Sequence, residues 1–167
     1  MELNDVVRSQ YHASLDMLRQ SVEKCPEALW NHPDDRTRFW HIAYHALFYL
    51  HLYLQKSLDD FRPWAKHKEH SESLSPTPGT ASAPSEPLES YSQAEILEYL
   101  SFCQGQIDEM TAQLDPQEAS GFYWLPFSKL ELQIYNIRHL QQHTGELMER
   151  LGSKAGVEID WVGTRRG

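Results

Sequence analysis

Cysteine is scarce in this 167-residue chain. Cys25 and Cys103 form no CxxC pair, which removes the paired-thiolate metal and redox motifs. Each falls at a core position of a helical pattern, so a buried thiol is expected at both. Basic residues are also short: 15 Lys and Arg face 24 Asp and Glu, a net charge of −9. Non-specific binding to nucleic acid or to an anionic membrane rests on the opposite excess, so neither partner is expected. The one basic cluster, Arg165-Arg166, reads as a solvated tail. No apolar run is long enough to span a bilayer. The most apolar stretch, FWHIAYHALFYLHLYL from Phe39 to Leu54, has 16 residues interrupted by histidine and tyrosine, against roughly 20 required. The opening MELNDVVRSQ carries acids and no apolar core segment, so no signal peptide is expected and a cytoplasmic location is. No segment alternates as a strand would, and no internal repeat is present.

What is present is helical periodicity. Leu3, Val7, Tyr11, Leu15, Leu18 and Val22 recur at three- and four-residue steps, an amphipathic helix closed near Pro26. NHPDD at 31–35 offers Asp34 and Asp35 as caps for a second helix running to about residue 59. That helix is apolar on every side between 39 and 54 and should be central. From about 63 to 90 the chain turns Ser- and Pro-rich and loses its period. It reads as a long, partly mobile connection with His67 and His70 in solvent. The pattern Ser92-Gln-Ala-Glu95 is a capping box opening a third helix that Pro116 closes. A second box, Ser128-Lys-Leu-Glu131, opens a fourth helix to about Gly152. Ile159 and Trp161 in the tail are expected to cover the core. The fold expected is all-α: a single domain over 1–167, a four-helix bundle with a crossover between the second and third helices.

Histidine carries the chemistry. His139 and His143 lie four residues apart in RHLQQHTGEL, about 40° apart on one helix face and one turn apart along it. Both imidazoles can reach one point, the two-nitrogen module of zinc and related metals. Leu140 occupies the position of the metalloprotease glutamate, so HExxH is absent, which argues against a zincin. In the second helix His41 and His45 have the same spacing, inside a segment whose burial makes an unpaired imidazole costly. Tyrosine hydroxyls such as those of Tyr44 or Tyr49 are the competing explanation for both. His51 lies about 80° and 120° from this pair and reads as a core histidine. Three facial imidazoles with one open position describe a catalytic metal site, whereas structural sites are closed.

The long link, HIAYHALFYLHLYL and RHLQQHTGEL together resemble the DinB-like superfamily, in which a four-helix bundle carries one histidine on its second helix and an HxxxH pair on its fourth. Gly145 and Leu147 match the family's HxxxHxGxL ending. The resemblance implies His139 and His143 as metal ligands, with the third ligand chosen from His45 and His41. His45 is preferred, because it lies nearer mid-helix, as the other pair does. His41 is then a fourth ligand, a supporting residue or a proton carrier. Similar proteins include bacillithiol-dependent S-transferases and mycothiol-dependent isomerases. The resemblance therefore implies a metal-dependent transferase acting with a low-molecular-weight thiol. Zn or Ni is the expected ion and Fe or Mn the alternative.

A metal-dependent hydrolase, and a non-catalytic metal-stabilised stress or interaction protein, are the competing functions. His41, Tyr44 and Glu146 are the candidates for catalytic work beside the metal. Glu146 can equally be a solvated partner of Arg150, four residues on. Trp64, Phe122, Tyr123 and Trp124 stand outside the helical core pattern and could line a pocket or the surface of a homodimer.

Overall fold

The computed structural model describes residues 2–74 and 88–165. Among these residues all regular structure is helical: α1 (Leu3–Glu23), the single turn α2 (Glu27–Trp30), α3 (Phe39–Leu54), α4 (Gln93–Ala112) and α5 (Lys129–Ala155). α3 packs along α4 and α5, and α1 packs along the same two helices. Their apolar faces meet in one cluster of buried side chains, with Tyr11, Tyr44, Leu47, Leu100, Leu140 and Leu147 fully enclosed. No described helix is long and apolar enough to cross a membrane.

The ends of the helices follow capping chemistry at two sites. Ser92 accepts from the Glu95 amide while the Glu95 carboxylate returns to the Ser92 amide, the complete reciprocal box. At Ser128 only half of the expected box forms: its hydroxyl accepts from the Glu131 amide, with no return bond from the Glu131 carboxylate to the Ser128 amide. α5 runs past Gly152 to Ala155 and stops at Gly156, whose φ of 64° turns the chain into the left-handed region. α4 stops at Ala112, ahead of Pro116, with Gln113 leaving helical geometry.

The second expected helix is shorter than its apolar pattern at both ends. Arg38, in extended conformation, precedes its first turn, and neither Asp34 nor Asp35 caps it. Asp35 is instead drawn to Lys154 and Arg150 of α5, since paired cations hold a carboxylate better than exposed amides do. At the other end the chain leaves the helix at Gln55. The carbonyls of Gln55 and Lys56 accept from the buried ammonium of Lys129, at 3.3 and 2.8 Å, in place of further helical amides. Ser120 supplies its third acceptor.

Two expectations about the irregular segments change. Residues 63–74 are anchored at several points: Trp64 is buried and stacks on Tyr99 at 4.7 Å, and Ser71 is buried. The Tyr91 hydroxyl accepts from the Lys68 amide and donates to the Lys66 carbonyl, which ties this stretch to the start of α4. Residues 75–87 of the expected mobile connection lie outside the described residues. In the tail Ile159 packs against the core, but Trp161 is 76% exposed. The tail is held along α1 by hydrogen bonds from Gln10, Gln20 and Lys24 to the carbonyls of Gly163, Asp160 and Glu158, so its position does not require burying the indole.

Candidate metal centre

α3 is the most enclosed helix, and its two exceptions mark the site. Every residue from Phe39 to Leu54 is buried save His45 and Tyr49, which stand one turn apart on the same face. α5 brings His139 and His143 against that face. One ring nitrogen from each of His45, His139 and His143 lies within 4.8 Å of the other two. The rings converge from different directions: His143 stands nearly perpendicular to His45 (82°) and to His139 (78°), with centroids 4.7 Å away in both cases.

Hydrogen bonds settle which nitrogens are offered. His45 Nδ1 is 2.6 Å from the Glu72 carbonyl, which can only accept, so that nitrogen carries the proton and Nε2 presents its lone pair. His143 Nδ1 likewise faces Glu146 Oε2 at 3.3 Å. Fixing the tautomer of an imidazole by a carbonyl or carboxylate on its far side is the usual support of a ligating histidine. Nε2 of His45 and Nε2 of His139 are 3.3 Å apart. With nitrogen–metal bonds of about 2.0–2.1 Å, two ligands of a tetrahedral ion sit about 3.3 Å apart, so the pair already has that edge length.

The residues fit a cation on a further ground. His139 Nδ1 is buried with no hydrogen-bond partner. With nothing between the rings, His139 must place its proton on Nε2 to bond His45, which strands Nδ1 as a buried acceptor. A cation held between them would take both Nε2 lone pairs in place of that single shared proton, although His139 Nδ1, unlike Nδ1 of His45 and His143, has no acceptor beside it. Burial also holds the rings neutral: it pushes the pKa of His45 down to about 3 and that of His139 down to about 4, helped by the neighbouring imidazoles. Neutral imidazole is the ligating form.

The other candidates are placed elsewhere. His41 lies one turn before His45, stacked on Trp40 at 4.9 Å and outside the converging trio. Tyr44 is fully buried, stacks on Tyr91 at 4.4 Å, and shares a hydrogen bond of 2.6 Å with His67 Nδ1. Tyrosine hydroxyls therefore do not explain His45. His67, expected in solvent, is half-buried through that bond, while His70 is exposed. His51 is a core histidine whose Nδ1 meets the Tyr99 hydroxyl at 3.2 Å. Cys25 and Cys103 are both buried. Phe122 and Trp64 are core residues, whereas Tyr123 is 88% exposed.

Sequence reasoning named one contributor only as a hydroxyl partner and missed another. Tyr49 packs against both His45 and His139, at centroid distances of 4.8 and 5.4 Å. Its spacing of four from His45 was the available signal. Glu72 acts through its backbone carbonyl, and no side-chain pattern could have marked it.

His51 supplies a pH test independent of any ion. Burial lowers its pKa to about 4, against about 6.5 in an unfolded chain. Between those values the unfolded state binds the extra proton, so this contribution is complete above about pH 6.5 and is lost as pH falls toward 4, on the order of 3 kcal/mol. Metal-free His51→Gln, which keeps a polar partner for Tyr99, is expected to lose stability less steeply across that window in urea titrations. Equal slopes for both proteins would refute the assignment.

The family model described as DinB superfamily matches residues 10–147. That span contains all three converging histidines. No curated protein and no solved structure matches the chain.

Proposed function

Because the chain belongs to the DinB superfamily, we propose that it is a divalent-metal enzyme in which His45, His139 and His143 hold the ion and a low-molecular-weight thiol is the acceptor in group transfer. The observation that carries this reading is the convergence of three imidazoles, two of them with an acceptor held against Nδ1, on the one face of α3 that is not buried. Three imidazoles would leave a coordination position for a reactant, and the partial exposure of His45 and His139 supports access to it from solvent. A divalent cation at this point lowers the pKa of a thiol or water bound to it and so supplies the nucleophile at neutral pH.

The chain's own contribution is orientation. Glu72 keeps the proton of His45 on Nδ1, Glu146 does the same for His143, and Tyr49 forms an aromatic wall beside two of the rings. Zn or Ni suits such a nitrogen set, and Fe or Mn can compete where supply favours them. The proposal also takes residues 1–167 as one domain. Its frame is a four-helix bundle of α1, α3, α4 and α5, in which the connection from α3 to α4 is the crossover. A homodimer is compatible with exposed Tyr123 and Trp124, and the small-molecule substrate is the partner that matters for the site.

The test begins with metal analysis of the purified protein, followed by a panel of thiols that includes bacillithiol and mycothiol, offered with a bimane electrophile. Near-stoichiometric metal and thiol-dependent conjugation that disappears on chelation are expected. Consumption of an ester without thiol would favour the hydrolase. Trace metal, with no binding of added Zn, Ni or Co, would overturn the site.

A further inference from the structure

We propose that Arg150 is a positioning residue for the metal-facing nitrogen of His143, acting through Glu146. This rests on the metal reading above, and it concerns a residue outside the ligand trio and outside the family's histidine pattern.

Residues 143, 146 and 150 follow one another along a single face of α5. His143 Nδ1 meets Glu146 Oε2 at 3.3 Å, and the other oxygen, Oε1, accepts from Arg150 Nη2 at 3.2 Å. The Glu146 side chain is 42% exposed. Alone, such a carboxylate rotates freely and is screened by water, so it would hold an imidazole tautomer weakly. Arg150 changes that. Its side chain is only 17% exposed, and its second nitrogen, Nη1, donates to the Thr37 carbonyl at 2.6 Å and faces Asp35 Oδ2 at 3.7 Å. Asp35 is itself 6% exposed and also paired with Lys154.

The guanidinium is thus pinned from the loop before α3 while its free edge points at Glu146. Its planar fork makes both attachments at once, which a single ammonium cannot do with the same geometry. One oxygen of Glu146 is occupied by Arg150, and the other is left aimed at His143. With the proton held on Nδ1, Nε2 presents its lone pair to the position shared with His45 and His139. The polar chain His143–Glu146–Arg150–Asp35, a hydrogen bond followed by two ion pairs, also links the loop ahead of α3 to the ligands on α5. Asp35, a failed helix cap, has its use here.

The experiment compares wild type with Arg150→Met, Arg150→Lys and Lys154→Met. Metal-free, 15N-labelled protein reports the His143 tautomer through long-range imidazole nitrogen–proton correlations, and Co(II) titration reports affinity. Wild type is expected to hold the Nδ1–H form. Arg150→Met should give a tautomer mixture and about tenfold weaker Co(II) binding, at the low end of what support for a ligating histidine contributes. Arg150→Lys keeps the charge beside Asp35, and should keep the melting temperature near wild type while still weakening Co(II) binding. That split is one a purely structural role does not produce, and it decides the matter if Arg150→Met folds poorly. Lys154→Met removes the other cation of Asp35 and should leave tautomer and affinity unchanged. Wild-type tautomer and affinity in both Arg150 variants would overturn the proposal. Failure of wild type to bind Co(II) would overturn the metal reading instead, and the tautomer measurement would still decide the role of Arg150.

Discussion

His139→Ala is expected to lower divalent-metal affinity by at least two orders of magnitude while leaving the metal-free protein nearly as stable as wild type. The first half follows from ligand number. Structural zinc sites with four ligands bind with about 10–16 kcal/mol, so one ligand is worth about 3 kcal/mol or more, roughly a hundredfold in affinity. The second half follows from the state of this imidazole. His139 Nδ1 is buried without a partner, so its removal relieves an unsatisfied group that offsets the lost packing. The two effects separate in one experiment. Wild type should gain melting temperature when Zn or Co(II) is added, because an ion that binds only the folded state stabilises it. His139→Ala should show almost no gain. His41→Ala serves as the comparison: His41 stacks on Trp40 outside the trio, and its loss should leave affinity close to wild type. Equal metal-induced shifts in wild type and His139→Ala would remove His139 from the site. A larger loss of affinity from His41→Ala than from His45→Ala would reassign the α3 ligand.

The largest effect on stability is expected far from the histidines. Gly121 has a φ of 86°, where an L-residue is strained, and a Cβ there would overlap the Lys56 carbonyl. The obstacle is backbone, so no side chain can swing aside. Left-handed strain alone costs about 1–2 kcal/mol. The displaced Lys56 carbonyl is also an acceptor for Lys129, whose ammonium is buried and depends on Gln55, Lys56 and Ser120 for its hydrogen bonds. Moving one acceptor leaves part of a buried charge unsatisfied, a further few kcal/mol. Gly121→Ala should therefore lose about 4 kcal/mol in urea denaturation, a large share of a small domain's stability. It should leave Co(II) affinity of the folded fraction unchanged, since residues 56, 121 and 129 hold no ligand. A loss below about 1 kcal/mol would mean the turn relaxes without disturbing Lys129.

Much of this was legible in the chain because it is local. Leu3, Val7, Tyr11 and Leu15 declare α1 by spacing, and Ser92 with Glu95 declares the start of α4, since every group involved lies within one helical turn. His139 and His143 belong together for the same reason. The apolar surround of His45 predicted a buried helix, which α3 is. The tautomers were not legible. They depend on the Glu72 carbonyl, which comes from a segment without periodicity, and on Glu146, whose choice between solvent and His143 depends on where Arg150 is held. Asp35 looked like a cap because sequence shows only its neighbours, and the cations that claim it are more than a hundred residues away. Trp161 looked like a cover because its indole is apolar, yet side-chain hydrogen bonds from α1 to the tail carbonyls already hold the tail.

The sequence by itself determined that the chain is helical, that an HxxxH pair occupies one face of its last helix, and that its most apolar helix carries more imidazole than packing explains. Periodicity and capping act over three or four residues, so they are written into any such segment wherever it finally sits. Only the tertiary structure decided that His45 rather than His41 meets His139 and His143, that their free nitrogens face one another, and that the one gap in the burial of α3 lies there. The axial register between α3 and α5 makes that choice. One turn of a helix is about 5.4 Å, longer than the spacing between two ligands of one ion, so a shift of a single turn exchanges one histidine for the other.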